Sequence, residues 1–157
     1  MQVYTFPYPT LNTVSTPMNW FMPPVGYSDW LQFEKEYIYL MLRSNGIGLA
    51  ANQIGITQRF FAMGYDSFDV FSKPAILYNA RIIKASEEVE IGEEGCLSFP
   101  NVFYNVYRAV NIEVEWQDMK GKTSSTTLSG YEARCFQHEL DHINGTTFNQ
   151  RAEELLN

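Results

Sequence analysis

Apolar side chains recur at helical spacing in one early segment of the chain. They are Trp30, Phe33, Tyr37, Leu40 and Met41. Ser28 precedes this run as an N-cap type of residue, and Asn45 with Gly46 stops it. The pattern predicts a first helix between Ser28 and Asn45.

Beyond residue 59 the pattern changes to short runs typical of β-strands. RFFAM occupies 59–63, AILYNARII occupies 75–83, and VNIEVEW at 110–116 alternates apolar with polar residues. The turn-forming DMKGK follows at 118–122, and the Ser/Thr-rich TSSTTLS at 123–129 suits a partner strand. These segments predict antiparallel hairpins.

A second helix is predicted to begin near Gly130. Ser129 and Glu132 have the spacing of a capping box, and Asn144 with Gly145 provides a stop. One face of this helix carries Tyr131, Cys135, His138 and His142. The opposite face carries Ala133, Phe136, Leu140 and Ile143. The expected fold class is therefore α+β, with a central helix that bears HExxH packed against antiparallel β-sheets.

Composition places these elements in a single globular domain. The chain has 157 residues, of which 45% are hydrophobic and 18% charged, and no repeat or flexible linker divides it. Residues 1–28 contain five of the seven prolines, so they should wrap the domain as irregular chain. Residues 146–157 should form a short, polar and exposed tail.

Charge and hydropathy argue against two classes of partner. The formal net charge of −7 disfavours a surface for phosphate backbones, so direct nucleic acid binding is not expected. No apolar run approaches the ~20 residues that span a bilayer, and the start MQVYTFPYPT lacks the features of a secretory signal. We therefore expect a cytoplasmic protein with no membrane partner and with reduced cysteines.

Both histidines of the chain lie in QHELDH at 137–142. Four residues apart on a helix, His138 and His142 can share one metal ion, and Glu139 lies where it can reach a metal-bound water. The alternative is a pair of helix histidines in a solvated ion-pair network. A catalytic metal normally has three protein ligands, so the metal interpretation requires a third.

The third ligand must come from elsewhere in the chain. Glu153 and Glu154 follow the motif but belong to the polar tail, whereas Cys96 lies in EEGCLSFP at 93–100. Gly95 permits a close approach of the backbone there. A lone cysteine is also often a small buried hydrophobe, so spacing alone leaves both interpretations of Cys96 open.

A glycine-rich segment, GIGLAANQIG at 46–55, is the third feature. No strand is predicted before it and no lysine follows, so a phosphate-binding loop is not indicated. The small residues can instead let a substrate backbone come close, while Gln53 offers amide N–H donors. The alternative is a glycine helix stop followed by packed alanines.

Together, GIGLAANQ, EGCLS and QHELDH resemble the three signature motifs of the peptide deformylase family, in the same order and with similar separations. HExxH alone is shared with many metallopeptidases, whereas the three motifs together are specific. The resemblance implies a metal-dependent hydrolase that removes the formyl group from the N-terminal formylmethionine of nascent polypeptides and releases formate. Residues 1–157 would then be a single catalytic domain.

The resemblance also assigns roles by position. It implies one divalent ion per chain, with Fe(II) as the working ion and Zn(II) or Ni(II) able to replace it, held by Cys96, His138 and His142. Metal-bound water would be the nucleophile and Glu139 the general acid/base. Gln53 and the Leu97 backbone N–H would stabilise the oxyanion.

A peptide substrate would add as an extended strand, if the resemblance holds, beside Ile47, Gly48 and Gly95. The methionine side chain would enter an apolar pocket near Ile47, Tyr131 and Cys135. Cys135 is then a pocket wall, and the alternative is an inert core thiol.

The C-terminus departs from many bacterial relatives, which continue into a basic helix implicated in docking to the ribosome. This chain ends twelve residues after Gly145, similar to phage-encoded deformylases. We therefore expect ribosome proximity without stable docking, in a bacterium or in an infected host cell. Two rival functions are a zincin-like endopeptidase, which would not require Cys96, and a metal-stabilised module that binds formylated peptides without turnover.

Overall fold

The structure is a computed structural model that describes residues 1–156 except 19, 21, 22 and 25, with side chains as far as residue 152. Its α-helices are α1 (Trp30–Arg43), α2 (Gly130–Ile143) and α3 (Phe148–Leu156), and two short 3-10 helices span Pro9–Asn12 and Ala51–Ile54. Its strands are β1 (Gly48–Ala50), β2 (Phe60–Met63), β3 (Ala75–Ala85), β4 (Val89–Cys96), β5 (Phe99–Ala109), β6 (Asn111–Gln117) and β7 (Thr123–Ser129). Within the described part of the chain, no helix is long and apolar enough to cross a membrane.

Five strands form one antiparallel sheet in the order β1-β2-β3-β6-β7, and β4 pairs with β5 in a second, two-stranded sheet. The predicted hairpin of β6 and β7 is confirmed, since Asn111 pairs with Ser129 at one end and Gln117 with Thr123 at the other. The arrangement of helices and antiparallel sheets is the α+β class expected from the sequence.

The five-stranded sheet separates two apolar clusters because successive side chains of a strand point to opposite faces. On β2, Phe61 and Met63 belong to the cluster that also contains Phe136 of α2. Phe60 belongs to the cluster that contains Phe33 of α1. Helices α1 and α2 therefore cover opposite faces of the sheet.

Helix α1 begins at a different cap from the one predicted. Asp29, in extended conformation, accepts a hydrogen bond from the Gln32 backbone N–H at 2.7 Å. Ser28 donates its hydroxyl to the Gln32 side chain instead. The prediction of Ser28 as the N-cap is therefore wrong, because Asp29 is the residue whose side chain reaches the first turn.

Helix α2 has the predicted limits but not the predicted capping box. Ser129 precedes the helix without a side-chain cap, and the Glu132 carboxylate accepts hydrogen bonds from the backbone N–H groups of Val70 and Phe71. Glu132 thus fastens a loop to the helix rather than closing the helix start. Ten of the fourteen helix residues are buried, so α2 is central and not a helix with one free face.

Both ends of the chain lie against this core. Tyr4 and Ser15 donate backbone hydrogen bonds to Gln53 and Ile143, at 2.7 and 2.9 Å. Four positions of the proline-rich segment, 19, 21, 22 and 25, lie outside the described residues. The predicted exposed tail differs from the structure, because it contains α3, whose first residue Phe148 is buried.

Candidate metal centre

Two elements bring three metal-ligating side chains together. His138 and His142 lie one turn apart on α2, with their Nε2 atoms 3.2 Å from each other. Cys96 ends β4, and its Sγ lies 3.3 Å from His142 Nε2. All three potential ligand atoms lie within 4.8 Å of one another. The three residues therefore form a group that could hold one metal ion.

The spacing of these atoms fits a tetrahedral ion. Metal bonds of about 2.0–2.3 Å, arranged tetrahedrally, put neighbouring ligand atoms about 3.3–3.6 Å apart. Two of the three separations, 3.2 and 3.3 Å, come close to that range, and the third is no more than 4.8 Å. A thiolate with two imidazoles supplies three ligands, which leaves a fourth position for water or substrate.

Glu94 sets the orientation of one ligand. Its Oε1 lies 2.8 Å from His138 Nδ1, and an ionised carboxylate can only accept, so the imidazole proton is on Nδ1 and Nε2 offers its lone pair to a metal. In the metal-free protein, burial lowers the pKa of His138, but hydrogen bonds to Cys96 and Glu94 outweigh burial and raise it well above its ordinary value, so a metal would displace a proton from Nε2. Burial and the neighbouring His138 lower the pKa of His142.

Glu94 is itself held by two buried arginines. Arg108 donates to both of its oxygens at 2.9 Å, and Arg134 donates at 2.8 Å. Burial raises the pKa of Glu94, but the hydrogen bonds from Arg108 and His138 outweigh it and hold the pKa well below the ordinary value. Arg108 also donates to Asp141 of α2. A buried ionic cluster therefore joins β4, β5 and α2 directly behind the ligand group.

Glu139 lines the same cleft as Cys96 and His138 while remaining only 4% exposed. A Cβ atom on Gly48 would lie 2.5 Å from Glu139 Oε1, so a side chain at this position of β1 would displace the Glu139 carboxylate. Burial raises the pKa of Glu139 to about 7, against the opposing influence of His138. A carboxyl group that titrates near neutral pH is suited to take up and return a proton.

Gln53 is fixed in one orientation beside the ligand group. Its Oε1 accepts from the Ala50 backbone N–H at 2.8 Å, which identifies the opposite end of the carboxamide as the NH2 group. Its Nε2 lies 3.1 Å from Ser98 Oγ and 3.7 Å from Cys96 Sγ. Leu97 follows Cys96 in the tight turn between β4 and β5. Gln53 and Leu97 are therefore both neighbours of Cys96 and line the same cleft.

The five predicted substrate-binding residues all line one cleft of about 640 Å³, and they are Ile47, Gly48, Gly95, Tyr131 and Cys135. Tyr131 is 56% exposed and forms part of the rim. A Cβ atom on Gly95 would lie 3.0 Å from the Phe103 ring, so a side chain at this position would press against that ring.

Cys135 is not among the described residues that form the ligand group. Its Sγ lies 3.7 Å from the Ile47 carbonyl oxygen, and the side chain belongs to the core cluster as well as to the cleft wall. Burial raises the pKa of this thiol well above its ordinary value, which disfavours the thiolate that a metal requires. The alternative ligands Glu153 and Glu154 have side chains outside the described part of the chain.

The sequence model of the polypeptide deformylase family matches residues 1–157. The chain belongs to this family. The peptide deformylase of Thermotoga neapolitana is 47% identical over 108 residues, which cover 69% of this chain and 63% of the relative. The peptide deformylase of Prochlorococcus marinus strain SARG is 41% identical over 125 residues, which cover 78% and 62%. The aligned part thus spans slightly less than two thirds of these curated relatives.

Solved structures of the deformylase family share the fold. The peptide deformylase of Thermotoga maritima superposes with a TM-score of 0.82 at 36% identity, covering 96% of this chain and 95% of that one. The class I type b enzyme of Acinetobacter baumannii, bound to Met-Ala-Ser, gives 0.85 at 30% identity, with 96% and 97% covered. The family resemblance and the fold class expected from the sequence are confirmed.

Sequence reasoning on this deformylase-family chain did not assign roles to Glu94, Ser98 or Arg108. The position of Glu94 could have indicated one, because residues two apart on a strand share a face and Cys96 is two residues later. Ser98 and Arg108 gave no comparable signal, since their contacts are with segments distant in sequence: Tyr4 and Gln53 for Ser98, and Glu94 and Asp141 for Arg108.

Proposed function

We propose that this member of the deformylase family removes the formyl group from the N-terminal formylmethionine of nascent polypeptides. One observation carries the proposal: the ligand group formed by Cys96, His138 and His142 meets Glu139 and Gln53 at one cleft. A generic HExxH protease would need neither the thiolate nor the carboxamide at that place.

In this proposal Cys96, His138 and His142 hold one divalent cation. When bound, the ion activates water by lowering its pKa towards about 7. Glu139 accepts the proton of the attacking water and passes it to the departing nitrogen, so the formyl C–N bond breaks without release of an amide anion. The products are formate and a peptide with a free N-terminal amine.

Gln53 and Leu97 are the proposed donors to the formyl oxygen as negative charge develops on it. The closeness of Gln53 Nε2 to Cys96 Sγ supports this role, because the formyl group must lie next to the ligand group to react. The Leu97 backbone N–H belongs to the residue that follows the same ligand. A donor of this kind contributes about 2.7–4 kcal/mol to transition-state stabilisation in comparable sites.

The peptide is proposed to lie as an extended strand beside Ile47, Gly48 and Gly95, with the methionine side chain near Tyr131 and Cys135. The cleft volume of about 640 Å³ supports a bound peptide rather than a single small group. The Met-Ala-Ser bound to the Acinetobacter baumannii relative supports a peptide ligand at this fold.

Several finer points belong to the same proposal. Fe(II) is the proposed working ion, with Zn(II) or Ni(II) as replacements that the thiolate and imidazole ligands also accept. Residues 1–157 are proposed to act as one catalytic domain. The proposed place of action is the cytoplasm of a bacterium or infected cell, near ribosomes, because formylated nascent chains arise there.

The test uses protein purified without oxygen and analysed for metal. It measures formate release from formyl-Met-Ala-Ser and, in parallel, cleavage of an internal bond in an unformylated peptide. We expect formate from the first substrate and no cleavage of the second. Glu139→Gln should retain the metal and lose at least about a hundredfold in kcat. Glu132→Gln, a second buried carboxyl on α2, is the matched control and should remain active. Cleavage of only the unformylated peptide would favour an endopeptidase instead.

A further inference from the structure

Ser98 connects the N-terminal segment of the chain to the carboxamide of Gln53. Its Oγ accepts a hydrogen bond from Gln53 Nε2 at 3.1 Å and donates one to the Tyr4 carbonyl oxygen at 2.7 Å. Ser98 is fully buried, so water does not compete for the hydroxyl. A hydroxyl has one hydrogen, and because Tyr4 receives it, the oxygen presents a lone pair to Gln53.

Backbone hydrogen bonds close this connection into a ring. The Tyr4 N–H donates to the Gln53 carbonyl oxygen at 2.7 Å, while the Tyr4 carbonyl oxygen accepts from Ser98. The Phe6 N–H donates to the Ser98 carbonyl oxygen at 2.9 Å, which adds a second link between the N-terminal segment and the turn after β4. We call Tyr4, Ser98 and Gln53, with the hydrogen bonds among them, the Tyr4–Ser98–Gln53 ring.

The ring determines where the remaining amide hydrogen of Gln53 points. Oε1 is bound to the Ala50 N–H, and one Nε2 hydrogen is directed to Ser98. Because a carboxamide is planar, these two bonds also fix the direction of the second Nε2 hydrogen. The second hydrogen therefore points towards Cys96, whose Sγ lies 3.7 Å from Nε2. Gln53 is only 1% exposed, so protein contacts rather than solvent set its rotamer.

We propose that Ser98 and Tyr4 are positioning residues that aim the second Nε2 hydrogen of Gln53 at the formyl oxygen. The inference rests on the proposed function, since it concerns the same carboxamide. It gives the first residues of the chain a part in arranging the site, although they lie outside the cleft. Without the Ser98 hydroxyl, Gln53 Nε2 loses an acceptor, and of the two bonds that orient the carboxamide only the one from the Ala50 N–H to Oε1 remains.

A double-mutant cycle tests whether Ser98 acts through Gln53. Ser98→Ala should lower kcat about ten- to a hundredfold, with the protein still folded at the assay temperature, metal content retained and KM changed less than about twofold. In a Gln53→Ala background, the same substitution should cost less than about twofold. Equal losses in both backgrounds would overturn the proposal, because a merely structural role does not depend on Gln53.

Two further variants keep the cycle interpretable. Thr10→Val removes another hydroxyl bond of the N-terminal segment, from Thr10 Oγ1 to the Asn52 carbonyl oxygen at 2.7 Å, and should cost the same small factor in both backgrounds. Tyr4→Pro removes the N–H that binds the Gln53 carbonyl oxygen and leaves the buried Ser98 in place. If Ser98→Ala does not fold, Tyr4→Pro takes its place in the cycle, and it should lower kcat much less in the Gln53→Ala background than in the parent. Equal losses of kcat in both backgrounds would overturn the proposal.

Amide hydrogen exchange gives a readout that does not depend on activity. In zinc-loaded, nitrogen-15-labelled protein, the Gln53 side-chain amide signals are those that disappear in Gln53→Ala. We expect their exchange with water to be slow, to accelerate at least about tenfold in Ser98→Ala, and to stay slow in Thr10→Val. Unchanged exchange in Ser98→Ala would overturn the ring. If exchange accelerates in Ser98→Ala but the parent protein releases no formate, the ring is supported and only the proposed function is overturned.

Discussion

The two cysteines of the chain differ in what surrounds their sulfur atoms. Cys96 Sγ lies 3.3 Å from His142 Nε2, whereas Cys135 Sγ contacts the Ile47 carbonyl oxygen. We therefore expect Cys96→Ser to lower the metal retained after dialysis at least about tenfold, and Cys135→Ser to retain it. Elemental analysis of the purified variants measures the contrast. Equal metal loss in both variants would contradict this assignment of the third ligand.

Glu139 makes the stability of the metal-free protein depend on pH. Burial raises its pKa from 4.5 to about 7, so between these values the folded protein binds a proton that the unfolded chain releases. The carboxyl therefore weakens the fold as pH rises through this window, by an amount that reaches roughly 3 kcal/mol above pH 7. Glu139→Gln removes this effect, because an amide does not titrate.

The expected result is a difference that grows with pH. Metal-free Glu139→Gln should be more stable than the metal-free parent by roughly 3 kcal/mol at pH 8 and by less than roughly 1 kcal/mol at pH 5. Urea unfolding at the two pH values measures both differences. A constant difference across this range would show that Glu139 does not titrate there.

The helices and strands that the sequence pattern predicted have their apolar residues in a buried core. On α1 the recurring residues Phe33 and Tyr37 are fully buried, and on β6 the alternating Ile112 and Val114 are buried too. In the hairpin of β4 and β5, apolar side chains are exposed and a charged one is buried. Val89 is 54% exposed, while the charged side chain of Glu94 is buried. A pattern of apolar and polar positions therefore does not identify this hairpin.

This reversal explains why the site was only partly predictable. The resemblance of the three motifs to the deformylase family indicated Cys96 and Gln53, whereas residue type and spacing alone left the roles of both open. The ionic cluster around Glu94 needs side-chain contacts with Arg108 of β5 and Arg134 of α2. The buried role of Ser98 needs the N-terminal segment, whose Tyr4 carbonyl oxygen accepts its hydroxyl. Contacts between distant segments of this kind leave no periodic signal in the sequence.

Glu94 connects β4 with β5 and α2, so its charge is expected to support the packing of all three elements. Glu94→Gln leaves the buried guanidinium of Arg134 without its carboxylate partner and weakens the hold on His138. We expect a loss of about 3–5 kcal/mol in the free energy of unfolding at pH 7, measured with denaturant. Glu93→Gln changes the neighbouring exposed carboxylate and should stay within about 0.5 kcal/mol of the parent. Similar values for the two variants would exclude the cluster as a source of stability.

At the scale of the whole molecule, the C-terminal helix closes the back of the site. The Phe148 ring lies 5.5 Å from the His138 ring and 5.1 Å from that of Phe99. Arg151 forms a salt bridge with Asp141 at 2.8 Å. The sequence predicted an exposed tail because one buried aromatic residue among polar neighbours is a weak helix signal. Its partners on β5 and α2 supply the burial that holds α3 in place.

The net charge of −7 acts on every peptide that approaches the cleft. If the proposed function holds, long-range attraction should favour substrates with positive charge after the methionine. We expect kcat/KM for formyl-Met-Lys-Lys to exceed that for formyl-Met-Glu-Glu by roughly tenfold at low salt, with similar kcat values. Because salt screens charges beyond about 3 Å at 1 M, the ratio should fall towards one there. The kcat/KM for the uncharged control formyl-Met-Ser-Ser should depend least on salt. A ratio of kcat/KM values that persists at 1 M salt would show that direct contacts with the cleft, and not long-range attraction, cause the preference.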